Sequence, residues 1–204
     1  MHKNNKYAWH DSLKTDLHQC FFLSHSNGAK GSFVVALFIK SKMMAKTTIA
    51  IVEATETAGI EVAKRLALHD YRLLLISGDE IELTKLAARI IQIPTAEVET
   101  INCLKEGCWE ADIIVIAASK IPVENIATKI RDVATQKIIV EIVTGSQMSV
   151  NETLHLLLPY SKIVTALVDT ADNRIIITGA NYDAVQHIKE IAGNIGFNLK
   201  QPFS

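Results

Sequence analysis

The sequence predicts an α/β fold with a doubly wound, mainly parallel sheet, and three observations support this class. Short runs rich in β-branched residues, such as residues 47–52, have the composition of buried parallel strands. Segments with apolar residues spaced three and four apart, such as residues 57–69, lie between these runs and are typical of helices. Their regular alternation indicates βαβ units with helices on both faces of the sheet.

The strands are predicted from apolar or β-branched runs, and the weakest of them, residues 97–101, alternates with acidic side chains. In chain order, the predicted strands are residues 47–52, 72–76, 97–101, 112–117, 137–142, 162–167 and 174–178, with a short extended end at 197–199.

The helices are predicted from their apolar spacing and their end signals. In the first helix, Ile60, Ala63 and Ala67 recur on one face, with Leu66 beside them. The predicted helices are residues 57–69, 81–91, 123–133, 151–158 and 182–195. Asn151 is predicted to cap the fourth of these helices, which Pro159 ends.

The composition bounds the function before any motif is considered. A chain of 204 residues that is 49% hydrophobic and 21% charged has enough apolar material for one well-packed domain. Its 21 basic and 22 acidic side chains give a net charge of -1, which argues against a nucleic-acid binder. Its three cysteines have no paired spacing, so we expect free thiols and a cytoplasmic location.

Residues 1–43 differ from the rest of the chain. They hold six lysines and two aspartates, a net of +4, and the remaining residues carry a net of -5. The apolar run at residues 33–39 is too short to cross a membrane, and the lack of arginine argues against a mitochondrial presequence. We expect an N-terminal extension over residues 1–43, either a disordered tail or a stretch upstream of a true start at Met43 or Met44. Residues 44–204 are predicted to form a single domain.

The turn after the first strand is the most informative segment for function. In open parallel sheets, ligands bind at the carboxyl ends of the strands, where the strand order reverses. Residues 53–59 read EATETAG and stand between a strand and a helix, where a Rossmann glycine fingerprint belongs. Gly59 occupies the position of the glycine that lets helix and strand pack closely.

The stretch 46–199 resembles the NADP-binding domain of the deazaflavin (coenzyme F-420)-dependent NADP oxidoreductase family. The turn of that family has the form G-[GA]-T-G-x-x-G, which Ala54, Thr55 and Gly59 match. Glu53 and Glu56 stand where the other two glycines of this form are expected. Four later stretches resemble the strands that follow in this family, namely residues 111–117, 137–143, 162–167 and 178–181. The resemblance implies an NAD(P)-binding Rossmann-like fold, hydride transfer involving NADP, and a homodimer.

The resemblance also implies which residues contact the cofactor. These are Ala54, Thr55, Glu56, Thr57, Gly59, Ser77, Gly78, Ala117, Ala118, Ser119, Val143 and Thr144. The loops after the fourth and fifth strands would flank the nicotinamide, the second of them comprising residues 143–146. Ser77 could bond a 2′-phosphate. The alternative is that residues 77–79 form an ordinary turn with Asp79 as a helix cap, and that the two loops have no binding role.

The two glutamates create a conflict between fold and local charge. A carboxylate about 5 Å from a phosphate charge costs roughly 3 kcal/mol at an effective dielectric constant near 20. Such a loss lowers affinity more than a hundredfold. Three hypotheses therefore stand. The chain is an NADP-dependent oxidoreductase of the deazaflavin type, or it is a non-catalytic Rossmann-like binding or regulatory protein that has lost dinucleotide binding. A third is a Rossmann-like domain for another ligand with a cationic or hydroxyl-rich part.

Other chemistry leaves no trace in the sequence. The Tyr-x-x-x-Lys base of short-chain dehydrogenases is missing, because Tyr71, Tyr160 and Tyr182 are not followed by lysine at the required spacing. No zinc-protease, C-x-x-C or P-loop motif is present, and Cys103 and Cys108 are predicted to be buried or partly buried thiols rather than metal ligands. The catalytic residues therefore cannot be assigned, and a small-molecule or dinucleotide ligand is the expected partner.

Overall fold

The computed structural model describes residues 46–119, 121–144, 152–169 and 171–201. The predicted N-terminal extension, the Asn151 cap, and Gly145 and Ser146 of the predicted binding loop lie outside these ranges. The strands are β1 (Thr48–Val52), β2 (Arg72–Ile76), β3 (Glu97–Thr100), β4 (Ile113–Ile116), β5 (Ile138–Thr144), β6 (Lys162–Asp169), β7 (Arg174–Gly179) and β8 (Asn198–Lys200). The helices are α1 (Thr57–Leu66), α2 (Glu80–Ile90), α3 (Leu104–Glu110), α4 (Val123–Ile130), α5 (Glu152–Leu157) and α6 (Tyr182–Asn194).

The strands form one eight-stranded sheet in the order β3-β2-β1-β4-β5-β6-β7-β8. Every neighbouring pair is parallel except β6 and β7, which run antiparallel. From β1 the chain moves outward through β2 to β3, and then returns to the other side of β1 as β4. The predicted class, a doubly wound and mainly parallel α/β sheet, is confirmed.

Helices cover both faces of the sheet, and each face has its own apolar core. On one face α1, α2 and α6 pack on the sheet, with Leu66, Leu83 and Ile188 among the buried contacts. On the other face α3, α4 and α5 contribute Cys108, Ile130 and Leu154. Because both faces of β1, β2 and β4 are buried, these strands read as continuous apolar runs without alternation, which explains why they were predictable.

The first helix follows its predicted pattern with two differences. It ends at Leu66, and residues 67–69 form a tighter turn that includes the N–H of His69 bonded to the carbonyl of Leu66 at 3.0 Å. Val62 is buried beside Ala63, whereas the predicted core residue Ile60 is half-buried. The face that α1 buries is therefore rotated slightly, towards Val62 and away from Ile60. The spacing of aliphatic residues alone does not determine how a helix is rotated on the sheet.

Two elements differ more from the prediction. Helix α3 was not predicted, because its segment LKEGCWE has no apolar period and buries only the small residues Gly107 and Cys108. Strand β5 was predicted to stop at residue 142 but continues to Thr144. Its last residues pair with β6, where Val143 lies opposite Leu167 and Thr144 opposite Val168. Pairing with a long neighbour therefore extends this strand beyond its most apolar part.

An apolar cavity of about 50 Å³ lies between the sheet and helices α1 and α6. Its lining is aliphatic and aromatic, including Ile49, Val115, Ala166 and Phe197. A cavity with such a lining stays dry and offers nothing to orient a polar cofactor. Within the described ranges, no helix has the length and apolar character needed to cross a membrane.

The two edges of the sheet are short and polar. Strand β3 has the sequence EVET, and β8 has the sequence NLK with all its residues exposed. At the β3 edge, Arg72 bonds Glu99 at 2.8 Å and Glu110 at 2.9 Å. Lys46 bridges Asp70 at 3.0 Å and Glu97 at 3.2 Å. Charged and very short edge strands are a usual way to prevent another strand from adding to a sheet.

Arg65 joins α1 to the end of the chain's last helix, and its loss is expected to be measurable. Its guanidinium lies 4.2 Å from the ring centre of the buried Phe197, donates to the carbonyl of Ile195 and bonds Glu61 at 2.7 Å. We expect Arg65→Ala to lower the free energy of unfolding by about 1.5 kcal/mol, since it removes a cation–π contact and a charged hydrogen bond. Urea denaturation measures the change. Lys64→Ala, on the exposed side of the same helix, is the control, and equal effects would contradict the assignment.

Candidate functional site

The topological switch point of the sheet lies between β1 and β4. These neighbours end at the same level, with Val52 opposite Ile116, and their chains leave in opposite directions along the sheet. In this fold class, such a divergence opens a crevice at the carboxyl ends of the strands. The predicted site residues occupy this edge in four groups, at the β1–α1 turn, after β2, after β4 and at the end of β5.

The β1–α1 turn folds tightly without its expected first glycine. Glu53 has a φ of 58°, in the left-handed region that favours glycine. The turn is closed by the N–H of Glu56, which donates to the carbonyl of Glu53 at 3.0 Å. The N–H of Ala54 donates to the carbonyl of Ile76 at 3.0 Å, which ties the turn to β2. The backbone of the turn therefore has the tight geometry for which glycines are usually required, and Glu53 adopts the left-handed conformation in place of a glycine.

Gly59 places the first turn of α1 directly against this backbone. A Cβ atom at Gly59 would lie 2.7 Å from the carbonyl oxygen of Glu53 and 2.9 Å from the Cα of Ala54. Both contacts are too short for any side chain, and both involve backbone atoms that cannot turn aside. The predicted role of Gly59 in helix–strand packing agrees with this geometry, and the amino end of α1 consequently faces the crevice.

Two hydroxyl groups meet at the ends of β1 and β2. Thr55 Oγ1 and Ser77 Oγ lie 2.6 Å apart, and Ser77 is buried. The N–H of Asp79 donates to Ser77 Oγ at 3.3 Å. The Asp79 carboxylate accepts from the N–H of Glu82 at 3.0 Å, so this residue caps α2 as the alternative reading expected. Gly78 between them is exposed, and a Cβ atom added there would meet nothing within 4 Å beyond its chain neighbours.

Glu56 bridges the crevice. It is the N-cap residue of α1, but its side chain does not cap the helix. Instead, Glu56 Oε2 accepts a hydrogen bond of 2.6 Å from the hydroxyl of Ser119, which follows β4. The two residues are 63 positions apart, and no sequence pattern indicates that they meet. This bond spans the gap between the two diverging strands, at the place where a ligand of the crevice would pass.

The remaining predicted site residues have different environments. Ala117 is buried, and its N–H bonds the carbonyl of Val52 at 3.0 Å, whereas Ala118 is half-buried. The prediction that Val143 and Thr144 belong to a loop was wrong, because both are paired residues of β5. Their strand continues past the level at which β1 and β4 end, so they form a wall beside the crevice rather than a mobile loop.

Neither of the two cysteines in the described ranges belongs to the four groups of predicted site residues. Cys103 is exposed and Cys108 is buried, so the predicted burial holds for only one of the two. Burial raises the pKa of the Cys108 thiol to about 12, which leaves it protonated and unreactive at neutral pH. Among the residues that the structure describes, no group of three or more His, Cys, Asp or Glu side chains is arranged to hold a metal ion.

The backbone of this site is suited to a dinucleotide, whereas the Glu56 side chain is not. The tight turn, the close packing at Gly59 and the exposed amino end of α1 provide the frame in which a pyrophosphate approaches backbone N–H groups. Thr55 and Ser77 would face the adenosine ribose. The carboxylate of Glu56 lies across the same space, so a bound pyrophosphate requires Glu56 to release Ser119 and turn towards solvent.

Comparisons with known proteins support the fold. A scan against protein-family models finds no match, and a search of curated proteins also finds none. Among solved structures, the chain is similar to (S)-3-hydroxybutyryl-CoA dehydrogenase from Ralstonia eutropha, with a TM-score of 0.61 and 13% identity over 77% of this chain and 63% of that one.

Two reductases show the same likeness. A pyrroline-5-carboxylate reductase from Coxiella burnetii gives a TM-score of 0.61 and 14% identity over 79% of this chain and 60% of that one. Pyrroline carboxylate reductase from Plasmodium falciparum, with NADP bound, gives a TM-score of 0.58 and 14% identity over 79% and 59%. The chain spans less than two thirds of the length of each protein. These structures are dehydrogenases and reductases by name, and the shared fold is the Rossmann-like fold of NAD(P)-binding domains.

Proposed function

We propose that this chain is an NAD(P)-dependent oxidoreductase that holds NADP in the crevice between β1 and β4. The observation that carries the proposal is the packing of Gly59 against the backbone of Glu53 and Ala54. This contact directs the amino end of α1 at the switch point, which is the arrangement that dinucleotide phosphates use. Bound NADP would supply the hydride chemistry, and the chain would supply binding and orientation.

The end of β2 supports NADP rather than NAD. An acidic residue at this position normally holds the ribose hydroxyls of NAD and repels a 2′-phosphate. In this chain the nearest acid, Asp79, is engaged as the cap of α2, and the groups at the strand end are the hydroxyls of Ser77 and Thr55. Hydroxyls can donate hydrogen bonds to a 2′-phosphate without a charge penalty. We therefore place the 2′-phosphate beside these two residues.

The finer assignment is hydride transfer between NADP and a deazaflavin, in a cytoplasmic homodimer. It is supported by the resemblance of the turn and of the later strands to the coenzyme F-420-dependent family. In this reaction NADPH loses a hydride and becomes NADP, while the deazaflavin gains that hydride and a proton from solvent. Loss of the visible absorbance of coenzyme F-420 on mixing with NADPH and the purified chain tests this assignment, and sedimentation tests the dimer.

Dinucleotide binding is the first expected result. Thermal unfolding of the purified chain with NADPH, NADP, NADH and NAD should show stabilisation by the phosphorylated pair above that by the other pair. Ligand at a hundred times its dissociation constant adds about 2.7 kcal/mol to the free energy of unfolding. If none of the four dinucleotides stabilises the chain at millimolar concentration, the proposed oxidoreductase function is rejected. Equal stabilisation by NADH and NADPH is consistent with the proposed oxidoreductase function, but it contradicts the proposal that Ser77 and Thr55 bind the 2′-phosphate.

A second candidate is a Rossmann-like binding or regulatory protein that has lost dinucleotide binding. The observation that favours it is the hydrogen bond between Glu56 and Ser119, which closes the crevice from within. The double variant Glu53→Gly with Glu56→Gly separates the candidates. If the native chain binds none of the four dinucleotides while the double variant binds NADPH, the backbone of the site is still suited to a dinucleotide, and the two glutamate side chains prevent binding. If neither binds, the crevice has no dinucleotide role.

A further inference from the structure

The apolar cavity between the sheet and helices α1 and α6 lies over the strands that the two helices leave between them. Helix α1 packs on β1 and β2, whereas α6 packs on β6, β7 and β8. Strands β4 and β5 run between these two groups and contribute Val115 and Val140 to the cavity wall. The cavity therefore follows from where the two helices lie on this face of the sheet.

Two small side chains contribute to the space inside the cavity. Ala166 of β6 and Ala192 of α6 both line it, one on the sheet and one on a helix, and both are buried. Most of the other lining residues are Ile, Val or Leu, whose side chains fill the space around them. Since protein interiors are normally packed as densely as organic crystals, a volume of about 50 Å³ between such walls is a distinct feature.

The wall of the cavity favours apolar occupants over water. The residues that the structure places around it are all apolar, and even the most accessible of them, such as Val62 and Ile191, are only 8% exposed. A water molecule needs roughly 10–15 Å³ of such volume and two to four polar partners. The size of the cavity suffices for water, but water would give up hydrogen bonds there, whereas an apolar molecule would gain dispersion contacts.

The volume of the cavity limits the size of its ligand. An engineered cavity of roughly 150 Å³ lined by Leu, Ile and Phe binds benzene or xenon. The cavity of this protein has a lining of the same kind, including Leu66, Ile188 and Phe197, but a volume of only about 50 Å³. It is therefore suited to a single xenon atom or a very short hydrocarbon, and it is too small for an aromatic ring.

We propose that this cavity is a binding site for one small, uncharged, apolar molecule of the size of xenon or ethane. The ligand would contact the middle of α1 through Val62 and Leu66, whereas the crevice proposed for the dinucleotide lies at the amino end of the same helix, near Gly59. The proposal therefore goes beyond the proposed function and does not depend on it. A bound molecule would stabilise the packing of α1 and α6 on the sheet.

Xenon is the probe for this site. The full-length chain, with isotope-labelled methyl groups in Ala, Ile, Leu and Val, is equilibrated with xenon at increasing pressure without dinucleotide, and the methyl signals are followed by NMR. We expect saturable shifts at Val115, Ile142 and Ala166. The methyl groups of Ile114 and Ile130, in the core on the other face of the sheet, are the internal reference. No saturable shift at the lining residues, or equal saturable shifts in both cores, overturns the proposal.

A variant that fills the cavity assigns the site. Ala166→Val adds two methyl groups on the cavity side of β6 and should lower the xenon affinity at least tenfold, without lowering the melting temperature. Ala50→Val makes the same change in β1, at a buried position in the other core, and should keep the xenon affinity but lower the melting temperature, because overpacking destabilises. Ala192→Leu replaces Ala166→Val if that variant does not fold. Undiminished xenon affinity in the filled variant refutes the assignment.

A variant that enlarges the cavity tests the size limit. Ile191→Ala removes part of the wall that α6 contributes and should admit benzene, which the native chain should exclude. Saturable benzene shifts at the lining residues of the native chain contradict the proposed ligand size.

Dinucleotide titrations keep this proposal apart from the proposed function. Ala166→Val should bind NADPH as the native chain does, because Ala166 is not among the residues assigned to the dinucleotide. A chain that binds xenon but no dinucleotide retains the apolar site and loses the oxidoreductase function. A chain that binds NADPH but not xenon loses the apolar site alone.

Discussion

Gly59→Ala is expected to lower the free energy of unfolding by about 3 kcal/mol, at the upper end of the range for overpacked sites. The added methyl group would lie 2.7 Å from the carbonyl oxygen of Glu53, 2.9 Å from the Cα of Ala54 and 3.0 Å from its carbonyl carbon. All three are backbone atoms of a turn that is itself hydrogen-bonded to β2 through Ala54. Relief therefore requires α1 to move away from β1, which also breaks the apolar contacts beneath the helix.

The matched control is Gly78→Ala, in the turn after β2. No atom lies within 4 Å of a Cβ at Gly78, so the change should stay within about 0.5 kcal/mol. Urea or thermal denaturation of the two variants gives the comparison. A Gly59→Ala variant as stable as Gly78→Ala would show that α1 does not pack on the turn as closely as the structure has it. The frame proposed for the dinucleotide would then lose its principal support.

Removal of the Glu56 carboxylate is expected to raise the affinity for NADPH about a hundredfold. A carboxylate about 5 Å from one phosphate charge costs roughly 3 kcal/mol at an effective dielectric constant near 20, and this energy corresponds to a factor above one hundred in the dissociation constant. In the structure the same carboxylate is bonded to Ser119, so a dinucleotide must also break that hydrogen bond. Isothermal titration calorimetry with NADPH measures the gain directly.

Two substitutions at this position separate charge from crowding. Glu56→Gln removes the charge but keeps the length of the side chain and its ability to bond Ser119. Glu56→Gly removes both. If charge is the main obstacle, the glutamine variant should show most of the gain, and a gain confined to the glycine variant indicates crowding. Glu97→Gln makes the same change of charge at the start of β3, at the amino ends of the strands and away from the candidate site, and should leave the affinity unchanged. Unaltered affinity in both Glu56 variants contradicts the expected repulsion.

Much of the fold was predictable because its central strands β1, β2 and β4 are buried on both faces. Strands β1, β2 and β4 contain almost only aliphatic residues, and such runs separated by amphipathic segments leave little choice of architecture. Helix α3 was not predictable by the same means. It packs through Gly107, where a Cβ would lie 2.7 Å from Ile76, so close approach replaces the apolar stripe that identifies other helices.

The position of the candidate site followed from the sequence, but its contacts did not. The passage from β1 into α1 identifies the crevice, and Gly59 indicates close packing there. The direction of the Glu56 side chain depends on Ser119, which the fold brings near only after β4 has crossed to the other side of β1.

The edges of the sheet determine how copies of this chain can meet. An incoming strand at β3 would have to displace the ion pairs that Arg72 and Lys46 make with Glu99 and Glu97, and β8 offers only three residues to pair with. Continuous sheets across a two-fold axis, and open-ended stacking into fibres, are therefore disfavoured. We expect the homodimer proposed above to form through helices rather than strand edges, which leaves the hydrogen-bonding pattern of each sheet complete within one subunit.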